Sequence, residues 1–256
     1  MLETAKMCPD RRIVGFSYPP GRTGDLPFGV CGAVTEIRYH DVGVVIVEDG
    51  KLLDEGGRES GSNRRRGSRL EELTLHLRRL TGFAPLRHPA PCPSSQALVA
   101  SLEANDAAVR RFVSWSLGAE QYKVTLTLDP KAIPLAYPGQ SESARDRGEE
   151  IARFADVWGH SILQFLEEVT LQCIPGVTRR GPTFADHEVM ILEATFLVAV
   201  ARRLAFHQTL DSLRPDLSVS GMKLEVVGPA AATTFAPTLD QILAPARQTV
   251  SAAKSA

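Results

Sequence analysis

The segment Glu188-Val189-Met190-Ile191-Leu192-Glu193-Ala194-Thr195-Phe196-Leu197-Val198 decides the fold of the second half of this chain. Its apolar residues run almost without a break, so periodicity alone fits two readings. It opens a helix that continues to Leu213, or it is a buried strand that precedes a helix. Read as a strand, it makes the second half a succession of strand, helix, strand, strand, helix and strand. That is the ferredoxin-like order, an antiparallel sheet with two helices on one face. The flanking pieces suit this order. Tyr122-Lys123-Val124-Thr125-Leu126-Thr127-Leu128 alternates polar and apolar residues, a strand signal. Residues 142–168 form the strongest helix, with Ile151, Phe154, Ala155, Trp158, Ile162, Phe165, Leu166 and Val169 on one face. Burying that face contributes on the order of 10 kcal/mol gross, at roughly 1.5–3 per large side chain, so the helix must dock. Residues 170–177 read as a strand and 199–213 as a helix. Pro215 stops that helix, because proline disfavours helix in the residue before it. Residues 222–227 are a last strand, cut by Gly228-Pro229.

Upstream, Ser68-Arg69-Leu70-Glu71 has the capping-box pattern of a helix start. Leu70, Leu73, Leu77 and Leu80 continue it at helical spacing. Phe83-Ala84-Pro85-Leu86-Arg87 is short, apolar and interrupted by proline, so it is extended or an edge strand. Pro93-Ser94 opens a helical run that ends before Gly118, with Leu98, Leu102, Val109, Phe112 and Val113 on one face. Asn105-Asp106 divides that run in two. Strands are expected at 12–16, 30–39 and 42–48, the last two joined by a hairpin at His40-Asp41. Val44-Val45-Ile46-Val47 suits a central strand buried on both faces. Residues 49–67, glycine-rich and carrying Arg64-Arg65-Arg66, read as a surface loop. The fold class is α+β, with an N-terminal α/β sheet domain at 1–120 and a C-terminal ferredoxin-like βαββαβ domain at 121–236. A tail follows at 237–256, with a short helix around 239–243.

Composition narrows the function. The chain has 256 residues, 43 % of them apolar, and a net charge of −1. That balance argues against a surface built for nucleic acid, which is basic overall. The arginine runs Arg64-Arg65-Arg66 and Arg179-Arg180 have no interleaved aromatics on which bases would stack. Cys8, Cys31, Cys92 and Cys173 are scattered, without disulfide-framework or zinc spacing. No window approaches the roughly 20 apolar residues of a membrane span, and no signal core precedes the first strand. A cytoplasmic location is expected.

No catalytic constellation stands out. Gly15-Phe16-Ser17-Tyr18-Pro19 misses the nucleophile-elbow pattern at its fifth position and no helix follows it. The glycines at 21–29 lack the Gly-Lys-Ser/Thr of a phosphate loop. His40-Asp41 is read as a turn, and the remaining histidines are dispersed without ligand spacing. No enzyme activity, cofactor or metal is expected.

Several segments together carry a family resemblance. His76-Leu77-Arg78 lies on a helix and is followed by Ala84-Pro85-Leu86-Arg87. Leu117-Gly118 and Glu120-Gln121-Tyr122-Lys123-Val124 come next, then residues 190–198, then Leu224-Glu225-Val226-Val227-Gly228-Pro229. The succession resembles the GvpF/GvpL family of gas-vesicle proteins, from about Ile13 to Phe235. That family shows a Leu-Pro-Leu-Arg-Phe-Gly-like segment, a Glu-Trp-containing strand and a proline- and aromatic-rich ending. Here His88-Pro89 replaces Phe-Gly, Gln121-Tyr122 replaces Glu-Trp, and residues 230–235 replace the ending. The resemblance implies a two-domain α+β protein without enzyme activity. It implies an assembly or minor structural role in gas vesicles, with the small hydrophobic shell protein and other accessory proteins as partners. It also favours a strand at 188–198. Pro85, Leu86, Arg87, Tyr122, Pro229 and Phe235 fall on the matching segments and are the expected partner-binding residues. The alternative is an α+β interaction or ligand-binding module that has lost the gas-vesicle role.

Overall fold

The computed structural model describes residues 11–26, 34–48, 62–129, 144–176 and 189–243. These divide into two compact units. One comprises the described residues up to Leu117 together with residues 231–243. The other is Gly118–Ala230.

The first unit is a four-stranded antiparallel sheet with helices on both faces. Its strands are β1 (Arg11–Tyr18), β2 (Val34–Tyr39), β3 (Val42–Glu48) and β4 (Gly82–Pro91), in the spatial order β2-β3-β1-β4. Helix α1 (Ser62–Leu80) covers one face, where Leu73 and Leu77 pack on Val14, Val45, Val47 and Phe83. Helices α2 (Ser95–Ala104) and α3 (Asp106–Leu117) cover the other. There Leu98, Leu102, Val109 and Phe112 pack on Ile13, Phe16, Val44 and Ile46. This two-sided cover is why Val44-Val45-Ile46-Val47 is apolar at every position.

The hairpin turn falls at His40-Asp41 as expected, with His40 in the left-handed region at φ 52°. Strand β4 is an edge strand, which tolerates Pro85, Pro89 and Pro91 because its outer side needs no ladder donor. Its pairing with β1 jumps from Gly15↔Pro85 to Ile13↔Ala90, so Leu86-Arg87-His88-Pro89 bulges out of register. Ser17, the residue of the near-elbow motif, lies inside β1 and is buried. Its hydroxyl donates to Glu36, whose other carboxylate oxygen accepts from the Gly21 N–H at 2.7 Å.

The second unit comprises β5 (Ala119–Leu128), α4 (Ala144–Glu167), β6 (Gln172–Pro175), β7 (Val189–Ala199), α5 (Arg203–Val219) and β8 (Met222–Ala230). The strand order β6-β7-β5-β8, antiparallel throughout, is the ferredoxin-like arrangement. Within the segment read at 188–198, the described residues from Val189 onward are therefore a strand. Tyr122, Val124, Leu126 and Leu128 form one row, all fully buried beneath the two helices. Helix α4 docks through Ile162 and Leu166, with Phe154, Ala155 and Trp158 half-buried beside them. Phe165, expected on that face, sits at its rim and is 47 % exposed.

Three expectations change. Helix α1 begins at Ser62, six residues ahead of the capping box, so Arg64-Arg65-Arg66 lies in a helix rather than a loop. Arginine is a good helix former, and one internal glycine costs only about 1 kcal/mol. Residues 49–61 of the expected loop lie outside the described residues. Helix α5 runs through Pro215 to Val219 instead of stopping. The proline forfeits one backbone bond, and the added turn buries Leu217 in the core and satisfies the Ser220 N–H.

The third change concerns the C-terminal segment. Residues 231–236, expected to close the second domain, and helix α6 (Leu239–Leu243), expected in a separate tail, belong to the first unit. Ala236, Leu239 and Ile242 fill the core beside Phe16 and Phe112, because an apolar face of that size stays dry only against another.

Candidate functional site

The returning C-terminal segment and α3 enclose an open groove of about 320 Å³. Ala108, Arg111, Phe112 and Trp115 form one wall, and Phe235, Pro237, Gln241 and Ile242 the other. Helical spacing puts Ala108, Arg111 and Trp115 on one side of α3. Phe112 and Trp115 are stacked with ring centroids 6.1 Å apart, and Phe112 meets Phe16 edge-on at 5.9 Å. The groove floor is thus continuous with the core. Its polar groups are the Arg111 guanidinium, whose Nε donates to the Ala107 carbonyl, and the Gln241 amide, which closes a turn with Thr238.

Helix α3 is fixed to the sheet by charge. Arg110 holds Asp106 with Nε at 3.0 and 3.1 Å and reaches Asp41 of the β2–β3 turn with Nη1 at 2.6 Å. The Arg110 hydrogen bond holds the Asp106 carboxyl below its ordinary range. Burial, with Asp106 adding to it, pushes the Tyr39 phenol up.

The expected partner-binding residues fall into two groups. Pro85, Leu86, Arg87 and Phe235 lie in the first unit. Pro85 and Leu86 are buried, Arg87 is exposed and Phe235 is half-buried on the groove wall. The C-terminal segment links them, because the Arg87 N–H donates to the Pro237 carbonyl at 3.2 Å. Phe235 therefore lines a groove of the first unit, outside the ferredoxin-like unit.

Tyr122 and Pro229 lie in the second unit. Tyr122 is fully buried against Phe206, and its hydroxyl donates to Glu120 at 3.1 Å. Arg203 donates to the other oxygen of Glu120 at 3.3 Å. Pro229 is exposed and follows Gly228, which lies against the Tyr122 ring.

Trp115 and the α6 residues escaped the sequence reading. The one available signal was the spacing Phe112/Trp115 and Leu239/Ile242, two apolar pairs three residues apart.

Cys173 on β6 is half-buried beside Glu167, and burial first, then that carboxylate, pushes its thiol up to about 11. At pH 8 it is overwhelmingly protonated and therefore a weak nucleophile. Peptide-resolved alkylation with iodoacetamide should label Cys173 slowly at pH 8, with the rate climbing about tenfold per pH unit toward 10. A rate that levels off by pH 9 would contradict this environment.

An antiparallel sheet helix-covered on both faces, followed in the chain by a ferredoxin-like unit, defines a two-unit α+β class of protein. Within that class the fold is GvpF-like. The crystal structure of the gas vesicle protein GvpF from Anabaena sp. PCC7120 matches with a TM-score of 0.57 and 17 % identity, over 89 % of this chain and 95 % of that one. GvpF from Microcystis aeruginosa matches with a TM-score of 0.56 and 13 % identity, over 89 % and 98 %. No protein-family profile and no curated protein sequence matches the chain. Among the described residues, no helix is long and apolar enough to cross a membrane.

Proposed function

We propose that this chain is a non-enzymatic accessory or minor structural protein of gas-vesicle assembly, acting in the cytoplasm and at the vesicle. Its partners are the small hydrophobic shell protein and other accessory proteins. The observation that carries this reading is the likeness to two GvpF structures across 89 % of the chain, spanning both units. A shell protein with an apolar face is prone to aggregate until that face is covered. The groove between α3 and the C-terminal segment offers the half-buried Trp115 and Phe235 for that purpose. Arg87 stands beside the same segment, and Pro85 and Leu86 anchor the strand that carries it. On the ferredoxin-like unit the exposed Pro229 makes a second contact region, and Tyr122, expected to bind as well, is fully buried and only supports the Gly228-Pro229 backbone from beneath.

Co-expression with the small shell protein tests this. A soluble stoichiometric complex is expected, lost on Phe235→Asp or Trp115→Asp in chains that still fold. Absence of a complex with the unaltered chain, under conditions where a GvpF protein binds, would reject the assembly role. It would favour the second reading, an interaction module that has left the gas-vesicle system. The replacement of the proline- and aromatic-rich ending at residues 230–235 points that way.

A further inference from the structure

Strand β8 forms an outer edge of the second sheet. The Asp129 N–H donates to the Gly221 carbonyl at 2.9 Å, which sets the alternation along the strand. Lys223, Glu225 and Val227 turn their backbone groups toward β5, opposite Thr127, Thr125 and Lys123. Met222, Leu224 and Val226 turn theirs outward. The Leu224 carbonyl confirms the direction, since it accepts from Arg214 Nη1 of α5 at 3.3 Å. An outward row of backbone donors and acceptors is a template for another strand. On the open face of the sheet, Lys223 and Glu225 are exposed and form an ion pair at 2.5 Å.

We propose that β8 pairs with β8 of a second copy of this chain, antiparallel about a two-fold axis at Leu224. The charges choose both the partner and the register. An axis at Lys223 sets lysine against lysine, and an axis at Glu225 sets glutamate against glutamate. An axis at Leu224 sets Lys223 of each copy opposite Glu225 of the other, two attractive cross-strand pairs. The same axis makes Leu224 its own partner and places Met222 opposite Val226 of the second copy. All of these residues have outward backbone groups, so the ladder is complete. Arg214 occupies the central acceptor and must swing aside. It is 50 % exposed, and its Nε already pairs with Asp211 at 3.3 Å, so it has a place to go. Arg214 is thus a positioning residue that sets how readily the edge opens. This pairing holds whether or not the chain binds a shell protein.

Sedimentation equilibrium of the full chain over a concentration series tests the proposal. The unaltered chain should show a reversible monomer–dimer equilibrium. Lys223→Glu and Glu225→Lys should each weaken it by about tenfold or more, because each turns both symmetric pairs repulsive. The double exchange should restore it. Mixing the two single variants should give a heterodimer, since lysines of one copy then face glutamates of the other. Arg214→Ala should tighten association by uncovering Leu224. A wild-type chain that stays monomeric throughout, single variants that dimerise like wild type, or a double exchange that fails to restore dimers would each overturn the proposal. Circular dichroism of every variant separates loss of pairing from loss of fold.

Discussion

Phe206→Ala should destabilise the ferredoxin-like unit by about 4 kcal/mol, within the 3–5 kcal/mol range for buried phenylalanine truncation. Phe206 projects from α5 into the centre of the second core and is fully buried. Its ring centroid lies 4.9 Å from that of Tyr122, 6.2 Å from Phe196 and 5.8 Å from His207. Truncation therefore removes one buried side chain and also the contacts that fix the others. Rings attached to β5 and β7 cannot slide into the space, because both strands are held by antiparallel ladders on each side. The chain provides its own reporter. Of its two tryptophans, Trp158 lies on α4 in this unit and Trp115 on α3 in the first. In a Trp115→Phe background, urea unfolding followed by tryptophan fluorescence reads the second unit. A loss under about 1 kcal/mol would mean that the aromatic cluster is not packed as described.

Gly228→Ala should cost about 3 kcal/mol by the same assay, combining backbone strain of 1–3 kcal/mol with overpacking of similar size. Gly228 has φ +147°, a region that side chains rarely enter. An added Cβ would also stand 2.8 Å from the Tyr122 ring and 2.9 Å from the Gln121 carbonyl. One of these neighbours is backbone on the central strand, so neither rotamer change nor local shift relieves both. The control is Gly24→Ala in the first unit, where an added Cβ meets nothing within 4 Å, read by Trp115 in a Trp158→Phe background. Equal stability of the two variants would refute the argument. The close approach also explains why Gly228 and Tyr122 belong together although 106 residues separate them in the numbering: one fits against the face of the other.

Legibility in the sequence followed how far a segment's burial depends on neighbours near it in the chain. Tyr122–Leu128 lies on a sheet with one covered face, so period two survives and the strand is plain. Residues 188–198 hide their period because Ile191 and Leu192 are both buried, at a point where the register between β5 and β7 shifts. Adjacent buried residues imitate a helix interior. Pro215 misleads in another way: its local penalty is real, but Leu217 beyond it reaches the core and outweighs it. The groove was the least legible feature. Its walls, around Trp115 and Phe235, are 120 residues apart in the numbering. The second wall follows a stretch that reads as the end of another domain. Half-buried residues such as Phe235 carry no periodic mark, so nothing in the sequence joined them to α3.

The return of the chain at Ala231 has a consequence for biosynthesis. A ribosome releases the strands of the first sheet early, but Ala236, Leu239 and Ile242 emerge only after the whole of the ferredoxin-like unit. That unit has all its own residues once Ala230 has been made, so it is the first of the two able to reach its final state. The earlier-made part waits, with the side of its core around Phe16 and Phe112 lacking its last residues, until residues 231–242 have been made. Released chains truncated after Ala230 should thus be protease-resistant in the second unit and sensitive in the first, inverting the N-to-C order usual for successive domains.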